Sequence, residues 1–149
     1  MTKQELREEL KQSMLAKSSV KTSTLRMLIS AIGYYEIQKG GAGYEATDDD
    51  IQDVIQKEAK KIKDSIEQYK SAERAELVEK EEKELEILQK YLPEQMSEDE
   101  IKKLVLAAIT QTGAKSQADI GKVMGALMPV TKGKADGALV SKIVREELG

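Results

Sequence analysis

The sequence predicts an all-α fold, with an N-terminal helical domain of about four helices followed by a small three-helix bundle. Three observations favour this fold class. Apolar residues in every long segment recur every three or four positions, which is the spacing of one helix face. Ser or Thr stands three residues before an acidic residue ahead of several of these segments, as in a helix capping box. No segment alternates apolar and polar residues as a half-buried strand would.

The first helix is predicted to begin after Thr2. Thr2 and Glu5 have the spacing of a capping box. Leu6, Leu10 and Met14 then recur every four residues, so we expect all three side chains to face the core.

Three further helices complete the predicted N-terminal domain, residues 1–92. The second runs from about residue 19 to 38 and is followed by a glycine-rich loop at residues 40–43. Thr47 is predicted to cap the third helix, which Asp48–Asp50 favour electrostatically. The fourth helix follows a turn near residues 71–75 and is predicted to end before Pro93.

Residues 93–96 are the predicted linker to a C-terminal domain of residues 97–149. Three helices are expected there. Ser97 caps the first and Gly113 ends it. Ser116 is predicted to cap the second, which ends at Pro129, and Asp136 is predicted to cap the third.

The composition excludes several classes of active site. The 149 residues include no Cys and no His, so the chain has no disulfide, thiolate zinc site, histidine ligand or Ser-His-Asp triad. Carboxylates are abundant but follow no motif that selects a general acid and base. The sequence therefore predicts no catalytic residue, no metal site and no cofactor. The charged N-terminus and the lack of a long apolar run predict a cytoplasmic protein without a membrane segment.

The net charge of −3 is the sum of regions of opposite sign. Residues 31–100 carry ten bases and twenty acids, whereas residues 112–145 carry six bases and two acids. A basic segment in an acidic protein can mark the site of an anionic partner, although a solvated helical surface can have the same asymmetry without binding anything.

The segment Gly121–Gly137 is the least ordinary part of the chain. Gly121 and Gly125 lie on one helix face, where another helix or a ligand can approach closely; we expect tight packing within the three-helix bundle. Met124 and Met128 have core spacing and are expected to be buried. The loop after Pro129 brings lysines to the start of the last helix, where backbone N–H groups can receive a phosphate, but an Asp136 cap would compete for them.

A second candidate anion site is Arg26, whose planar guanidinium can bind a phosphate or carboxylate. The interpretation that we favour from the sequence is an ion pair with a carboxylate of the third helix, such as Glu58.

Three motifs together resemble the GatB/YqeY family. They are Thr24-Leu-Arg-Met-Leu-Ile-Ser-Ala-Ile followed by Glu36-Ile37, Tyr91-Leu-Pro-Glu-Gln-Met-Ser-Glu-Asp-Glu, and Gly121-Lys-Val-Met-Gly-Ala-Leu-Met-Pro followed by Gly133-Lys-Ala-Asp-Gly. The resemblance covers the whole chain in order. The residues that match the third, most specific motif are Gly121, Lys122, Gly125, Pro129, Gly133, Asp136 and Gly137.

This resemblance implies a stand-alone relative of the C-terminal region of the tRNA-dependent amidotransferase B subunit. That enzyme converts misacylated Asp-tRNA or Glu-tRNA to the amide with glutamine nitrogen and ATP, and its tail is implicated in holding tRNA. The resemblance therefore implies an amidotransferase-like carbon–nitrogen ligase class, although the catalytic sites of the enzyme lie outside the region resembled.

The leading hypothesis is a tRNA-associated binding module. Five cations of the basic C-terminal segment are the candidate phosphate contacts: Lys122, Lys132, Lys134, Lys142 and Arg145. The alternative is a protein-interaction adaptor that uses the acidic third and fourth helices or the Gly121/Gly125 face. A third possibility, catalysis of amide transfer by this chain, has no support in its residues.

Overall fold

The computed structural model describes residues 1–149 and contains helices but no strands, which confirms the all-α prediction. The chain forms two compact units, Met1–Leu92 and Pro93–Gly149, here called the N-terminal and C-terminal units. The helices are α1 (Lys3–Leu15), α2 (Ser19–Gly40), α3 (Asp48–Ser71), α4 (Ala75–Gln89), α5 (Glu98–Thr112), a 3₁₀ turn (Gln117–Asp119), α6 (Ile120–Thr131) and α7 (Gly137–Leu148).

Three of the predicted capping boxes are present. The Oγ1 atoms of Thr2 and Thr47 and the Oγ atom of Ser97 each accept a hydrogen bond from the backbone N–H three residues later. The acidic side chain at that later position accepts a bond from the N–H of the cap. The starts of α1, α3 and α5 therefore lie where the sequence predicts them.

The core of the N-terminal unit is formed by all four of its helices. Leu6 of α1, Leu25, Leu28 and Ile32 of α2, one face of α3 and Leu88 of α4 are buried together. The prediction that Met14 is also buried is wrong, because its side chain is 50% exposed. Met14 lies in the last turn of α1, where the buried position is taken by Ser13.

Asp50 joins the end of α2, the glycine-rich loop and the start of α3. Its buried carboxylate accepts hydrogen bonds from Tyr35 Oη (2.8 Å), Lys39 Nζ (2.6 Å) and Tyr44 Oη (2.6 Å), and from the backbone N–H of Thr47 (3.0 Å). These hydrogen bonds hold the pKa of Asp50 far below its usual range. The bond from Lys39 has the largest effect, followed by the bonds from Tyr44 and from the N–H of Thr47. Asp50 therefore completes the capping box of α3 and also holds the glycine-rich loop through Tyr44.

The C-terminal unit packs α5, α6 and α7 around its own core. Val105 of α5, Val123 and Leu127 of α6, and Val140 and Val144 of α7 are buried there. Gly113 ends α5 in the left-handed conformation, with φ +70°, as the sequence predicts.

Three predictions for α6 are wrong. Ser116 makes no capping hydrogen bond through its side chain, and a 3₁₀ turn precedes the helix. Pro129 lies inside α6 rather than ending it. The missing N–H of Pro129 deprives the carbonyl of Gly125 of its helical donor, but both residues are exposed, so water can serve that carbonyl. Met128 is 56% exposed, because α6 turns the adjacent Leu127 into the core.

The segment that the sequence assigns to a linker belongs to the C-terminal unit. The backbone N–H of Met96 donates to the carbonyl oxygen of Lys134 (2.8 Å). The side-chain amide of Gln95 donates to the carbonyl oxygens of Pro93 (2.9 Å) and Gly133 (3.0 Å). Residues 93–96 are therefore attached to the loop between α6 and α7.

Candidate nucleic-acid interface

All five predicted phosphate contacts have exposed side chains in the C-terminal unit. Lys122 and Lys132 lie near the two ends of α6, and Lys134 follows in the loop. Lys142 and Arg145 lie three positions apart on α7 and so share one side of that helix. The structure therefore places the cations in two groups, one along α6 and its loop and the other on α7.

The α6 face is open. Gly121 and Gly125 are four residues apart in α6 and share one side of the helix, with Lys122 at its edge, and Lys132 directly follows the helix. A Cβ atom added at either glycine would meet nothing within 4 Å. The predicted tight packing of the two glycines is therefore wrong: α6 packs through Val123 and Leu127 and leaves the glycine side to solvent.

The loop between α6 and α7 is fixed from both sides. Gly133 has φ +77°, a conformation that favours glycine, and lies between the two loop lysines. Ahead of it, the buried Thr131 side chain donates to the carbonyl oxygen of Leu127 (3.0 Å). Behind it, Asp136 caps α7 by accepting a bond from the N–H of Ala138 (3.2 Å). Because Asp136 takes up this donor at the start of α7, the phosphate receptor considered there gains no support.

Lys134 also lines a groove of about 450 Å³ on the C-terminal unit. Its other lining residues include Gln95, Lys103 and the acidic residues Glu94 and Glu100. The two carboxylates reduce the positive potential beside Lys134, whereas Lys103 adds to it. Gln95 and Lys103 are not among the site residues predicted from the sequence: Gln95 lies within the Tyr91-Leu-Pro-Glu-Gln-Met motif but was given no role there, and Lys103 stands in no motif.

The second group of cations is positioned by the C-terminal end of α7. The side-chain amide of Gln117 donates to the carbonyl oxygen of Arg145 (2.8 Å), which brings this end of α7 beside the 3₁₀ turn. Asp119 of the same turn accepts a bond from the backbone N–H of Lys115 (3.0 Å). That bond is the largest cause that lowers the pKa of Asp119, and the charges of Lys122 and Lys115 contribute less. The carboxylate is therefore ionised, and its negative charge partly offsets the positive charge of the nearby lysines.

The predicted pairing of Arg26 with Glu58 is wrong. Glu58 accepts from Lys61 Nζ on its own helix (2.9 Å). Arg26 lies on the exposed side of α2, where its Nη2 atom is 3.9 Å from Met14 Sδ. The reason is its position directly after the buried Leu25, which turns the next side chain toward solvent.

The candidate residues of this surface are side chains and backbone groups of the kinds that hold anions. The structure contains no group of three or more His, Cys, Asp or Glu side chains that could hold a metal ion. The candidate residues are lysines, one arginine and backbone groups, which hold anions by charge and hydrogen bonds. None of the helices is both long and apolar enough to cross a bilayer.

Comparison with known proteins identifies the family. A model described as Yqey-like protein matches residues 3–148. "Altered inheritance of mitochondria protein 41, mitochondrial" of Pyrenophora tritici-repentis is 35% identical over 149 residues, covering 97% of this chain and 79% of that protein. The protein of the same name from Saccharomyces cerevisiae (strain YJM789) is 30% identical over 151 residues, covering 95% and 80%.

An uncharacterized protein of Schizosaccharomyces pombe is 37% identical over 92 residues, which cover 62% of this chain and 72% of that protein. The names of the first two relatives indicate mitochondria rather than the predicted cytoplasm. The family model spans nearly the whole chain, as the sequence motifs suggested. The chain therefore belongs to the YqeY-like family.

Proposed function

We propose that the protein is a tRNA-associated binding module whose contact surface is the C-terminal unit. The observation that carries the proposal is the open face of α6, where Lys122 and Lys132 flank Gly121 and Gly125. The packing of the fold does not require glycine at either position, because a Cβ added there would meet nothing within 4 Å. A polyanion can approach this helix closely and meet exposed cations. The resemblance to the tail of the amidotransferase B subunit supports tRNA as that polyanion.

Binding of this kind is dominated by release of counterions from the phosphate backbone. The affinity falls as salt concentration rises, with a slope in the double-logarithmic plot of about 0.9 for each phosphate neutralised on a duplex. Removing two lysines that contact phosphates should therefore reduce the slope by about two.

The test compares tRNA affinity over a salt series for three proteins. They are the wild type, Lys132→Glu/Lys134→Glu and the control Lys80→Glu/Lys83→Glu. The control makes the same charge change on α4, so it matches the net charge of the whole protein. We expect the first variant to bind more weakly, with a smaller slope, and the control to resemble the wild type. Equal binding by both variants at every salt concentration contradicts the proposal.

The alternative function is a protein-interaction adaptor. The exposed Gly121/Gly125 face also supports this function, because a helix can pack closely against two glycines. A pull-down after nuclease treatment distinguishes the two functions. Under the adaptor hypothesis a protein is recovered with the wild type and lost with Gly125→Leu; under the tRNA hypothesis nuclease removes the bound material.

Amide transfer by this chain alone is a separate matter. The family resemblance implies the carbon–nitrogen ligase class, whereas the surface described above offers binding groups only. We propose that the chain assists such chemistry by holding tRNA, so the purified protein should release no glutamate from glutamine with ATP and misacylated tRNA.

We also propose that the protein is located in the cytoplasm. The alternative is the mitochondrion, the compartment in the relatives' names, and cell fractionation would distinguish the two.

A further inference from the structure

The outer side of α2 carries exposed apolar side chains that the fold does not use. Tyr34 and Ile37 are each 66% exposed and lie three positions apart, so they share one side of the helix. The opposite side of α2 is in the core, where Leu28 and Ile32 are fully buried. A single exposed apolar residue is ordinary, whereas an adjoining pair on one outward face marks a candidate contact surface.

This surface, here called the α2 face, consists of Arg26, Ser30, Gly33, Tyr34 and Ile37. It extends about 16 Å from Arg26 to Ile37, which is three turns of a helix. Gly33 leaves the middle of this face without a protruding side chain, and the space above it is open, because a Cβ added there would meet nothing within 4 Å. A second helix can therefore lie along it.

A groove adjoins the apolar end of the α2 face. It has a volume of about 360 Å³ and lies between α2 and α3. Ala31, Tyr34, Tyr35 and Val54 supply its apolar lining. The remaining lining is polar and carries more positive than negative charge: Gln38, Lys57, Lys60, Lys61, Glu58 and Asp64. Such a groove can receive one large apolar side chain from a docked helix.

The border of the α2 face toward α1 is basic. Lys3, Arg7, Lys11 and Met14 recur every three or four residues and so lie on one side of α1. Lys3 pairs with Glu36 of α2 and Met14 contacts Arg26, which places this side of α1 along α2. Arg7 and Lys11 lie between these contacts with exposed side chains.

Acidic side chains of α1 lie away from this border. Glu9 interacts with Lys21 (3.1 Å) and with Tyr91 Oη of the segment after α4. Glu36, the acid nearest the border, is buried and accepts from Lys3 and from the backbone N–H of Ala46. On the α1 side, the accessible charge beside the α2 face is therefore positive.

We propose that the α2 face docks an acidic amphipathic helix of a partner protein. The apolar side of that helix would cover Tyr34 and Ile37 and fill the groove, and its carboxylates would lie opposite Arg7, Lys11 and Arg26. Tyrosine and arginine are the side chains enriched among residues that dominate protein–protein binding energy. An exposed Ile37 favours a protein over a nucleic acid, and a second copy docked through the same face would bring like charges together.

The test uses the full chain and a fluorescein-labelled synthetic 18-residue helix with leucines on one side and Glu or Asp along the adjoining edge. A peptide with Lys in place of every acid is the charge control, and a labelled single-stranded RNA of 15 nucleotides is the nucleic-acid control. Binding is measured by fluorescence anisotropy, and the site is mapped by amide chemical shifts of the protein.

Four proteins are compared: the wild type, Tyr34→Ala/Ile37→Ala, Arg26→Glu, and Leu106→Ala/Val130→Ala. The last removes two exposed apolar side chains from the C-terminal unit and serves as the matched control. We expect the acidic peptide to bind the wild type and to shift the amides of residues 26–37. The first two variants should each weaken binding about ten-fold or more, and the control variant by less than about two-fold. Far-UV circular dichroism checks that each variant is folded.

Several results would overturn the proposal. One is no binding of the acidic peptide at about millimolar concentration, and another is equal binding of the lysine peptide. RNA binding that the α2-face variants abolish would assign the surface to nucleic acid. Self-association in sedimentation that Tyr34→Ala/Ile37→Ala abolishes would assign it to a second copy. Because Lys132→Glu/Lys134→Glu leaves the α2 face intact, this proposal and the tRNA proposal can fail separately.

Discussion

The side-chain amide of Gln95 donates a hydrogen bond to the carbonyl oxygen of Gly133, 3.0 Å away and 38 positions later in the sequence. Gly133 lies between Lys132 and Lys134, so this bond holds the loop of the proposed interface at its midpoint. The bond from the N–H of Met96 to the carbonyl of Lys134 adds a second attachment. The candidate tRNA surface is thus positioned by residues that lie outside its own basic segment.

Gln95→Ala should weaken tRNA binding without unfolding the C-terminal unit. The substitution removes the bond to Gly133 in the loop, worth about 1 kcal/mol, together with the local bond to Pro93, and so should reduce the affinity up to about five-fold through a less ordered loop. Amide hydrogen exchange at Lys134 and Ala135 should become faster. Gln111→Ala, an exposed Gln on α5, is the matched control. Unchanged exchange in Gln95→Ala would show that the amide does not order the loop.

Gly125→Ala and Gly40→Ala should change stability in opposite directions. An alanine at position 125 meets open space and favours the helix, which should raise the free energy of unfolding by about 0.5–1 kcal/mol. At position 40 the new Cβ would lie 2.7 Å from Tyr44 Cβ and push that residue away from Asp50, so stability should fall. Urea unfolding followed by far-UV circular dichroism measures both changes. A loss of stability in Gly125→Ala would show that α6 needs its glycine for packing.

Asp50→Asn should destabilise the N-terminal unit more than Asp49→Asn does. Both residues lie in the first turn of α3 and share the favourable helix dipole, but only Asp50 accepts bonds from Tyr35, Lys39 and Tyr44. The midpoint of thermal unfolding, measured at pH 7, should therefore fall further for Asp50→Asn. Equal midpoints would mean that the cluster contributes nothing beyond the dipole.

The same comparison predicts a pH dependence. The Lys39 hydrogen bond and its companions hold the folded-state pKa of Asp50 below the unfolded value of about 3.9. The resulting stabilisation is present in full above that value and is lost as pH falls through the folded-state pKa. The stability difference between the wild type and Asp50→Asn should be constant from about pH 7 to 5 and should shrink below about pH 4. A difference that grows on acidification contradicts this assignment.

Leu127→Ala and Met128→Ala should differ sharply although the residues are neighbours. Leu127 is 2% exposed, so its truncation should cost about 2–5 kcal/mol through lost burial and a cavity. Met128 is exposed, and its truncation should change stability by less than about 0.5 kcal/mol. Chemical unfolding followed by amide signals of the C-terminal unit measures both. Similar losses would place Met128 in the core after all.

The sequence predicted the parts of the fold that depend on local chemistry. Thr2, Thr47, Ser97 and Gly113 cap helices as their spacing indicates, since a cap needs only residues within a few positions. Periodicity was less reliable at the ends of a helix. Met14 fits the pattern of the α1 stripe, but in the last turn of the helix Ser13 takes the buried position and Met14 is exposed.

Tertiary relationships had no local signal. A pair of glycines four residues apart is compatible with tight packing or with an open face, and only the arrangement of α5 and α7 around Val123 and Leu127 decides between them. Gln95 lies in one of the family motifs, but the motif does not reveal its role, because its acceptor is a backbone carbonyl that any residue supplies. The five candidate cations are all exposed, and their division into two groups depends on how α6 and α7 pack.

The buried side chains of the two units form separate cores, and all five tyrosines of the protein lie in the first unit, whereas the chain has no tryptophan. Tyr35 and Tyr44 are bonded to Asp50, and Tyr91 to Glu9. Intrinsic fluorescence therefore reports on the N-terminal unit alone. The C-terminal unit, which carries the proposed tRNA surface, contains no tyrosine or tryptophan, so a tryptophan placed in it would give that unit a fluorescence signal of its own.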